Sequence, residues 1–236
     1  MTKKYKDKLC VYCGLRPSTG GDHVFAREFF LVAHRDSLPQ VPCCDQCNGE
    51  KSALEHYLTT VLPFGGRHAS AATNLQMMVP KRLERNARLL GRLREGYDGT
   101  RIPLEKGQVE KLFVFITKGL LWYHWQVILG AGDCVAATVF RSEGVASLDH
   151  ILSRLTPRNR VDVNLGDGTF VYEGRQTIDS PGSSLWRFAI YGGLCFGERS
   201  RDSEGKHSLI FAATGPRALM PRFWASVFGE ELQPAS

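Results

Sequence analysis

Apolar residues recur at helical spacing in three stretches of the chain. In "NGEKSALEHYLTTVL", positions 48–62, the apolar side chains share one face, and Pro63 with the glycines after it predicts the end of the helix. "KRLERNARLLGRLREG" follows Pro80 and predicts a second helix, since proline suits a first helical turn. A long apolar segment predicts a buried helix over about 107–130.

Short apolar and β-branched runs predict strands in the second half. The glycine-rich "GDGTF" predicts a turn between "RVDVNL" and "FVYEG". "CVAATVF", "LWRFAIYGGLCF" and "HSLIFAAT" complete a mainly antiparallel sheet, and a short helix is predicted near 145–155. Earlier, "HVFAREFFLVAH" predicts a strand that turns helical, whereas the two prolines of "SLPQVPCC" predict an extended loop.

These segments together predict an α+β protein. A length of 236 residues suits one large domain or two small ones. We expect a cysteine-containing module over residues 1–64, a linker and basic helix over 65–106, and an α+β domain over 107–236. The last of these combines a long helix with a mainly antiparallel sheet.

The charge of the chain points to nucleic acid as a partner. The formal net charge is +6, and residues 1–100 hold 15 Lys and Arg against 10 Asp and Glu. Positive charge attracts phosphate backbones and releases their counterions. The helix predicted after Pro80 carries a basic stripe that suits a phosphate backbone, with a solvated helix face as the alternative: Lys81, Arg85, Arg88 and Arg92.

The sequence favours a cytoplasmic protein with no membrane partner. Its start, "MTKKYKDKLC", is basic but lacks the apolar run of a secretion signal. Lys118 interrupts the most apolar segment, 112–131, and neither apolar block reaches the roughly 18 residues that a membrane helix needs. In a reducing compartment, paired cysteines bind metal more often than they form disulfides.

Four cysteines form two C-x-x-C pairs near the start of the chain. Cys10 and Cys13 make the first pair, and Cys44 and Cys47 make the second. Four thiolates in two such pairs are typical of tetrahedral zinc, and a site with four protein ligands is closed and therefore structural. Cys43 is an alternative to Cys44, but only Cys44 keeps the C-x-x-C spacing.

An acidic residue stands next to a histidine between the two cysteine pairs, in "GDHVFARE". The carboxylate of Asp22 suits a hard cation, and the imidazole of His23 can accept a proton at neutral pH. On a strand such neighbours point to opposite faces, so only a bend or bulge would aim both at one substrate. An ordinary surface pair is the alternative interpretation.

The ordered set "CVYCG … GDHVFARE … VPCCDQCNGEKS" resembles the HNH endonuclease family, in the subset with a zinc hook of two C-x-x-C pairs. The resemblance covers roughly residues 8–60. It implies a ββα-metal fold, with two strands and a helix around one divalent cation, and hydrolysis of phosphodiester bonds in DNA. It also implies His23 as general base, and Asp22 and Asn48 as ligands of Mg²⁺ or Mn²⁺ beside the structural zinc.

The sequence departs from the family pattern at two places. The family's middle Asn, which commonly orients the base, would fall within residues 37–40, where no Asn occurs. We expect a backbone carbonyl near Leu38 or Gln40 to replace it, or activity to be reduced. Ala26 stands where the family often has proline.

Other polar residues accompany the motif on the predicted helix. Lys51, one turn after Asn48, is expected to contact phosphate, with a solvated lysine as the alternative. Glu55 lies two turns after Asn48 on the same face. It is a further candidate ligand of the catalytic cation, or a support for His23 or Lys51.

Three arginines are expected to bind the nucleic acid as well. Arg27 follows the Asp-His pair, and Arg85 and Arg88 belong to the basic stripe. Residues 107–236 carry no motif that we can connect to chemistry. We expect them to position DNA, to form a homodimer, or to bind a protein partner.

Two other functions fit parts of the pattern. A zinc-stabilised nucleic-acid-binding module without strong catalysis would account for the missing Asn. A zinc deaminase would need an H-x-E motif, but Phe25 stands two residues after His23, and Asp36 two residues after His34. The deaminase is therefore disfavoured.

Overall fold

The computed structural model describes residues 3–95, 104–141, 152–153, 157–178, 180–194 and 208–228. Helices and antiparallel strands are both abundant in them, which confirms the α+β class. The helices are α1 (Asp45–Val61), α2 (Ala69–Met77), α3 (Val79–Glu84), α4 (Ala87–Glu95), α5 (Lys106–Trp125) and α6 (Met220–Phe228). The strands are β1 (Gly20–His23), β2 (Gln40–Cys43), β3 (Asp133–Arg141), β4 (Pro157–Leu165), β5 (Phe170–Thr177), β6 (Ser184–Ile190) and β7 (Ser208–Pro216).

Strands β1 and β2 form a small antiparallel ribbon before α1. The strand predicted from His23 onward instead ends at His23, and the chain then forms short 3-10 helices at Arg27–Phe29 and Val32–His34. The ribbon places Asp22 opposite Val41 and His23 opposite Gln40. The register therefore brings residue 40 beside the histidine.

The prediction of a loop over "SLPQVPCC" is wrong for its second half, which forms β2. Pro42 lies within that strand, opposite Gly21. Its carbonyl oxygen points away from β1 and accepts a hydrogen bond from the Val11 N–H at 3.1 Å. The N–H and carbonyl of one strand residue point to the same side, so the N–H that proline lacks would also have faced away from β1.

Helix α1 begins at Asp45, three residues before the predicted start. This is the residue after Cys44, the first cysteine of the second pair. Cys44 is the extended N-cap residue, and its carbonyl accepts the first helical hydrogen bond from the Asn48 N–H at 3.0 Å. The helix ends at Val61, and a 3-10 turn over Leu62–Gly65 holds Pro63. The predicted end is confirmed.

The single helix predicted after Pro80 is wrong, because the chain forms α3 and α4 with a break between them. The side chain of Asn86 causes this break, since its Oδ1 accepts a hydrogen bond from the Leu89 N–H at 2.9 Å and caps α4. Leu89 and Leu93 are the buried residues of α4, whereas Ala87 is exposed. The basic stripe is thus divided between two helices.

The large sheet has the strand order β3-β7-β6-β5-β4, and every neighbouring pair is antiparallel. The turn between β4 and β5 has positive φ at Gly166, Asp167 and Gly168, which explains the glycines of "GDGTF". The strands predicted in this half are present, but β6 ends at Ile190 and covers only the first six residues of "LWRFAIYGGLCF". The helix predicted near 145–155 falls largely outside the described residues.

Helix α5 packs between the ribbon and the large sheet. It ends at Trp125, before the predicted end, and Gln126 follows in the left-handed region. Phe25, Phe113 and Phe170 join one buried cluster that includes residues of both halves of the chain. Gly119 allows close packing, since a Cβ there would lie 2.9 Å from Val24 Cγ2. None of the helices in the described part of the chain has the length and apolar character needed to cross a membrane.

Candidate active site

The sulfur atoms of the two C-x-x-C pairs form one compact cluster, which we call the four-cysteine cluster. They lie within 4.8 Å of one another. A zinc ion with bonds of about 2.3 Å holds its sulfur ligands about 3.8 Å apart, so the cluster is of suitable size. Its members are those predicted, with Cys44 and not Cys43: Cys10, Cys13, Cys44 and Cys47.

The electrostatics of the four-cysteine cluster also suit a cation. A hydrogen bond with Cys43 is the main cause that lowers the pKa of Cys10 to about 4, which favours its thiolate form. Burial and then the charge of Cys10 raise the pKa of Cys47. Because crowded thiolates oppose one another's ionisation, a cation at their centre would favour all four charges. The donor set therefore fits zinc.

The carboxylate of Asp22 is held by one of its two oxygens. Its Oδ2 accepts a hydrogen bond from the Tyr12 hydroxyl at 2.8 Å and lies 3.1 Å from Lys51 Nζ. Burial, and then the Asp22 charge, raise the pKa of Tyr12, which keeps the hydroxyl as a donor. Within the described residues no donor reaches Oδ1, so this oxygen is the one available to a ligand.

Lys51 is buried, with a side chain only 1 % exposed. Its ammonium donates to the His23 carbonyl at 2.7 Å and pairs with Asp22 and with the Glu55 carboxylate. Burial alone would lower the pKa of Lys51, but the two carboxylates raise it above its usual value. Lys51 is therefore a buried, charged residue that links α1 to β1. The prediction that Lys51 contacts phosphate disagrees with this burial.

Glu55 supports Lys51, which is one of the roles expected for it. Its side chain is 14 % exposed and lies one helical turn after Lys51. Burial raises the pKa of Glu55 to about 7, although the charge of Lys51 acts in the opposite direction. Asp22, Lys51 and Glu55 form a partly buried row of alternating charge, which we call the charge row.

The imidazole of His23 is held by a side chain from the neighbouring strand. Gln40 Nε2 lies 2.8 Å from His23 Nε2. An amide offers both a donor and an acceptor, so Gln40 can pair with either neutral tautomer of the ring. The contact is made by a side-chain amide of β2, where the sequence suggested a backbone carbonyl.

Burial is the main cause that lowers the pKa of His23, which favours the neutral imidazole. The charge of Asp22 acts to raise this pKa, and the charge of Arg27 acts to lower it. Arg27 itself is exposed at the start of a 3-10 helix. It is thus near His23 and exposed, and its contact with nucleic acid stays a prediction.

Asn48 lies in the first part of α1, one turn before Lys51 and on the same face. Its side chain is exposed. The contact of Lys51 with β1 shows that this face of α1 is turned toward Asp22. Among the described residues no hydrogen bond joins Asn48 to Asp22 or His23, so its role as a ligand stays a prediction.

The two arginines of the basic stripe that are expected to bind nucleic acid, Arg85 and Arg88, lie elsewhere. Arg88 lines a cleft of about 220 Å³ together with His56 and Tyr57 of α1. At 100° per residue, these positions of α1 face away from Lys51. Arg85 is exposed in the break between α3 and α4. Neither is brought together with Asp22.

Two residues of the site were missed in the sequence. Tyr12 lies between the first two cysteines, and nothing in the sequence relates it to Asp22. For Gln40 the sequence predicts only a backbone contact, although a side-chain amide in the window of the family's middle Asn is a signal for the contact that the structure shows. Both contacts depend on how the ribbon and the first cysteine turn fold together.

Comparison of the chain with protein-family models, with curated proteins and with solved structures gave no match. The resemblance to HNH endonucleases therefore rests on the motif, and the function has to be argued from the site itself.

Proposed function

We propose that the chain is a metal-dependent endonuclease of the HNH type that hydrolyses phosphodiester bonds in DNA. The main support is the pairing, at the end of β1, of an anchored carboxylate with a neutral and hydrogen-bonded imidazole, Asp22 and His23. Helix α1 begins at the four-cysteine cluster and reaches Asp22 through Lys51. A structural zinc would thus fix the helix that completes the site.

The proposed ligands of the catalytic cation are Asp22 Oδ1 and the side-chain oxygen of Asn48. Tyr12 and Lys51 hold Asp22 by Oδ2, which leaves Oδ1 in a fixed position. Oxygen ligands suit Mg²⁺ or Mn²⁺, which keep several waters. When bound, the cation would neutralise charge on the scissile phosphate and on the departing 3′-oxygen.

His23 is the proposed general base. With the Gln40 amide turned over at this 2.8 Å contact, its oxygen accepts a hydrogen bond from the His23 Nε2–H, and Nδ1 is free to take a proton from water. The oxygen of that water attacks phosphorus, and the bond from phosphorus to the 3′-oxygen breaks. Burial lowers the pKa of His23, which favours the neutral ring that a general base needs. Arg27, exposed nearby, is the proposed contact for a neighbouring phosphate.

Cleavage of supercoiled plasmid tests this function directly. We expect nicking or cutting with Mg²⁺ or Mn²⁺ and a loss of about 100-fold or more in His23→Ala, since general bases commonly contribute that much. His34→Ala is a matched control, because it removes a histidine outside the site and should leave the rate unchanged. A His23→Ala protein that cuts as fast as wild type would remove His23 from the mechanism.

One observation favours a second candidate, a zinc-stabilised DNA-binding module with little or no catalysis. The Asp22 carboxylate already pairs with an internal cation, Lys51, at 3.1 Å. A wild-type protein that shifts DNA on a gel but leaves plasmid intact under all divalent cations would support this candidate and contradict the nuclease.

A further inference from the structure

The four-cysteine cluster carries a charge that its surroundings have to balance. Four thiolates and one Zn²⁺ leave a net charge of −2 on a site whose cysteines are largely buried. A buried charge is costly unless groups of opposite sign lie close to it. The described residues hold two cations beside the cluster, Arg16 and Lys118, and they come from different parts of the chain.

Lys118 reaches the cluster from α5. Its Nζ donates to the carbonyl of Tyr12 at 2.8 Å, and Tyr12 lies within the first C-x-x-C turn. Burial lowers the pKa of Lys118, whereas the charges of Cys47, Cys13 and Cys10 act to raise it. The ammonium thus lies within the field of both cysteine pairs.

Arg16 bridges the two cysteine pairs from the loop that follows the first. Its Nη2 is 3.8 Å from Cys47 Sγ, and its Nη1 bonds the Gln46 side chain, just before Cys47. The sulfur of Cys13 is the main cause that raises the pKa of Arg16, which favours the charged guanidinium. The guanidinium therefore contacts Cys47 of the second pair and lies in the field of Cys13 of the first.

The first cysteine turn also packs against the segment that follows α5. Gly14 has a φ of 63°, and a Cβ at this position would lie 3.1 Å from the Leu129 carbonyl oxygen. The turn is thus held by Lys118 on α5 and by the backbone beyond the end of that helix. Both supports lie outside the stretch that carries the cysteines and the HNH-like motif.

We infer that Lys118 and Arg16 are the counter-cations of a zinc tetrathiolate and that Lys118 couples zinc retention to the docking of the first cysteine turn on α5. By this inference α5 is a functional part of the zinc site. Both residues act on the thiolates and not on the metal directly, so they are positioning residues. The inference requires zinc in the cluster but does not require nuclease activity.

Zinc release from the full-length zinc-loaded protein to an excess of chelator tests this inference. We expect Lys118→Met and Arg16→Met each to release zinc about 10- to 100-fold faster than wild type, the range typical of groups that support metal ligands. Lys118→Arg keeps the charge and should restore slow release. Lys111→Met, at an exposed position two turns earlier on α5, is the matched control and should match wild type.

Two further measurements separate charge from packing. Lys118→Gln keeps a donor for the Tyr12 carbonyl but removes the charge, so we expect it to release zinc as fast as Lys118→Met. In the Co²⁺-substituted proteins, the sulfur-to-cobalt charge-transfer band should shift in Lys118→Gln and in Arg16→Met and stay in place in Lys111→Met. Release rates of Lys118→Gln and Arg16→Met within twofold of wild type, with unshifted cobalt bands, would overturn the inference.

Discussion

Gln40 lies directly opposite His23 in the β1–β2 ribbon, and its amide nitrogen is 2.8 Å from His23 Nε2. Because this contact fixes the imidazole, we expect Gln40→Ala to lower the cleavage rate about 100-fold, the loss typical of a misplaced catalytic group. The rate at saturating DNA measures this. Gln76→Ala, which removes an exposed glutamine on α2, should cut like wild type. Equal rates for Gln40→Ala and Gln76→Ala would mean that the contact has no part in cleavage.

The same contact allows the pKa of the proposed base, His23, to be changed. Burial lowers the pKa of His23 below its usual value, so wild-type cleavage should persist as the pH falls to below about 6.5. In Gln40→Glu a carboxylate beside the ring favours the imidazolium and raises its pKa. Since only the neutral ring acts as base, the loss of rate on acidification should begin at a higher pH. Rates measured from pH 5 to 9 check this, and superimposable profiles would contradict it.

Lys51 holds two carboxylates that would otherwise face each other inside the protein. Lys51→Met leaves Asp22 and Glu55 without their cation, and such a change costs about 3–5 kcal/mol in free energy of unfolding. Urea denaturation measures the loss. Lys81→Met, at an exposed position, should change stability by less than about 0.5 kcal/mol.

A second variant distinguishes lost charge pairing from lost packing. Adding Glu55→Gln to Lys51→Met removes one of the two unpaired carboxylates, so the double variant should regain part of the stability. A double variant that is less stable than Lys51→Met alone would show that the unpaired carboxylates are not the cause of the loss.

The sequence predicted those helices whose apolar residues repeat without a competing local contact. Helix α1 and its end before Pro63 follow from spacing, and so does most of α5. The break at Asn86 was missed because the apolar pattern continues through it while a side-chain cap ends one helix and begins the next. Pro42 favoured a loop in the sequence. In the structure it lies in β2 of a two-stranded ribbon, whose outer edges tolerate a residue without a backbone N–H.

The candidate site was predictable only as far as the motif extends. The four-cysteine cluster follows from C-x-x-C spacing, since that spacing brings two sulfurs to one side of a turn. The burial of Lys51 could not be predicted, because it depends on Asp22 and Glu55 enclosing its ammonium after α1 packs on β1. A lysine in an exposed helix would have given the same sequence pattern.

Gly119 lets α5 approach the residue that follows His23. In Gly119→Ala the new Cβ would lie 2.9 Å from Val24 Cγ2, so the helix or Val24 has to move. We expect a loss of about 1–3 kcal/mol in the free energy of unfolding, typical of overpacking, together with slower cleavage. Gly107→Ala is the matched control on the same helix, since nothing lies within 4 Å of its added Cβ. Gly107→Ala should raise the free energy of unfolding by up to about 1 kcal/mol. A similar gain in Gly119→Ala would show that α5 is not closely packed on Val24.

Removing zinc should abolish cleavage, although zinc contacts none of the side chains proposed to take part in the reaction. Cys44 is both a member of the four-cysteine cluster and the N-cap of α1, so loss of the metal frees the start of the helix that carries Asn48 and Lys51. After treatment with a zinc-selective chelator, or in Cys44→Ser, we expect lower thermal stability and a loss of cleavage that added Mg²⁺ or Mn²⁺ does not restore. Zn²⁺ should restore the chelated wild type. Cys134→Ser, outside the cluster, is the matched control and should keep its zinc. Zinc-free protein that cuts at the wild-type rate would show that cleavage does not depend on the four-cysteine cluster.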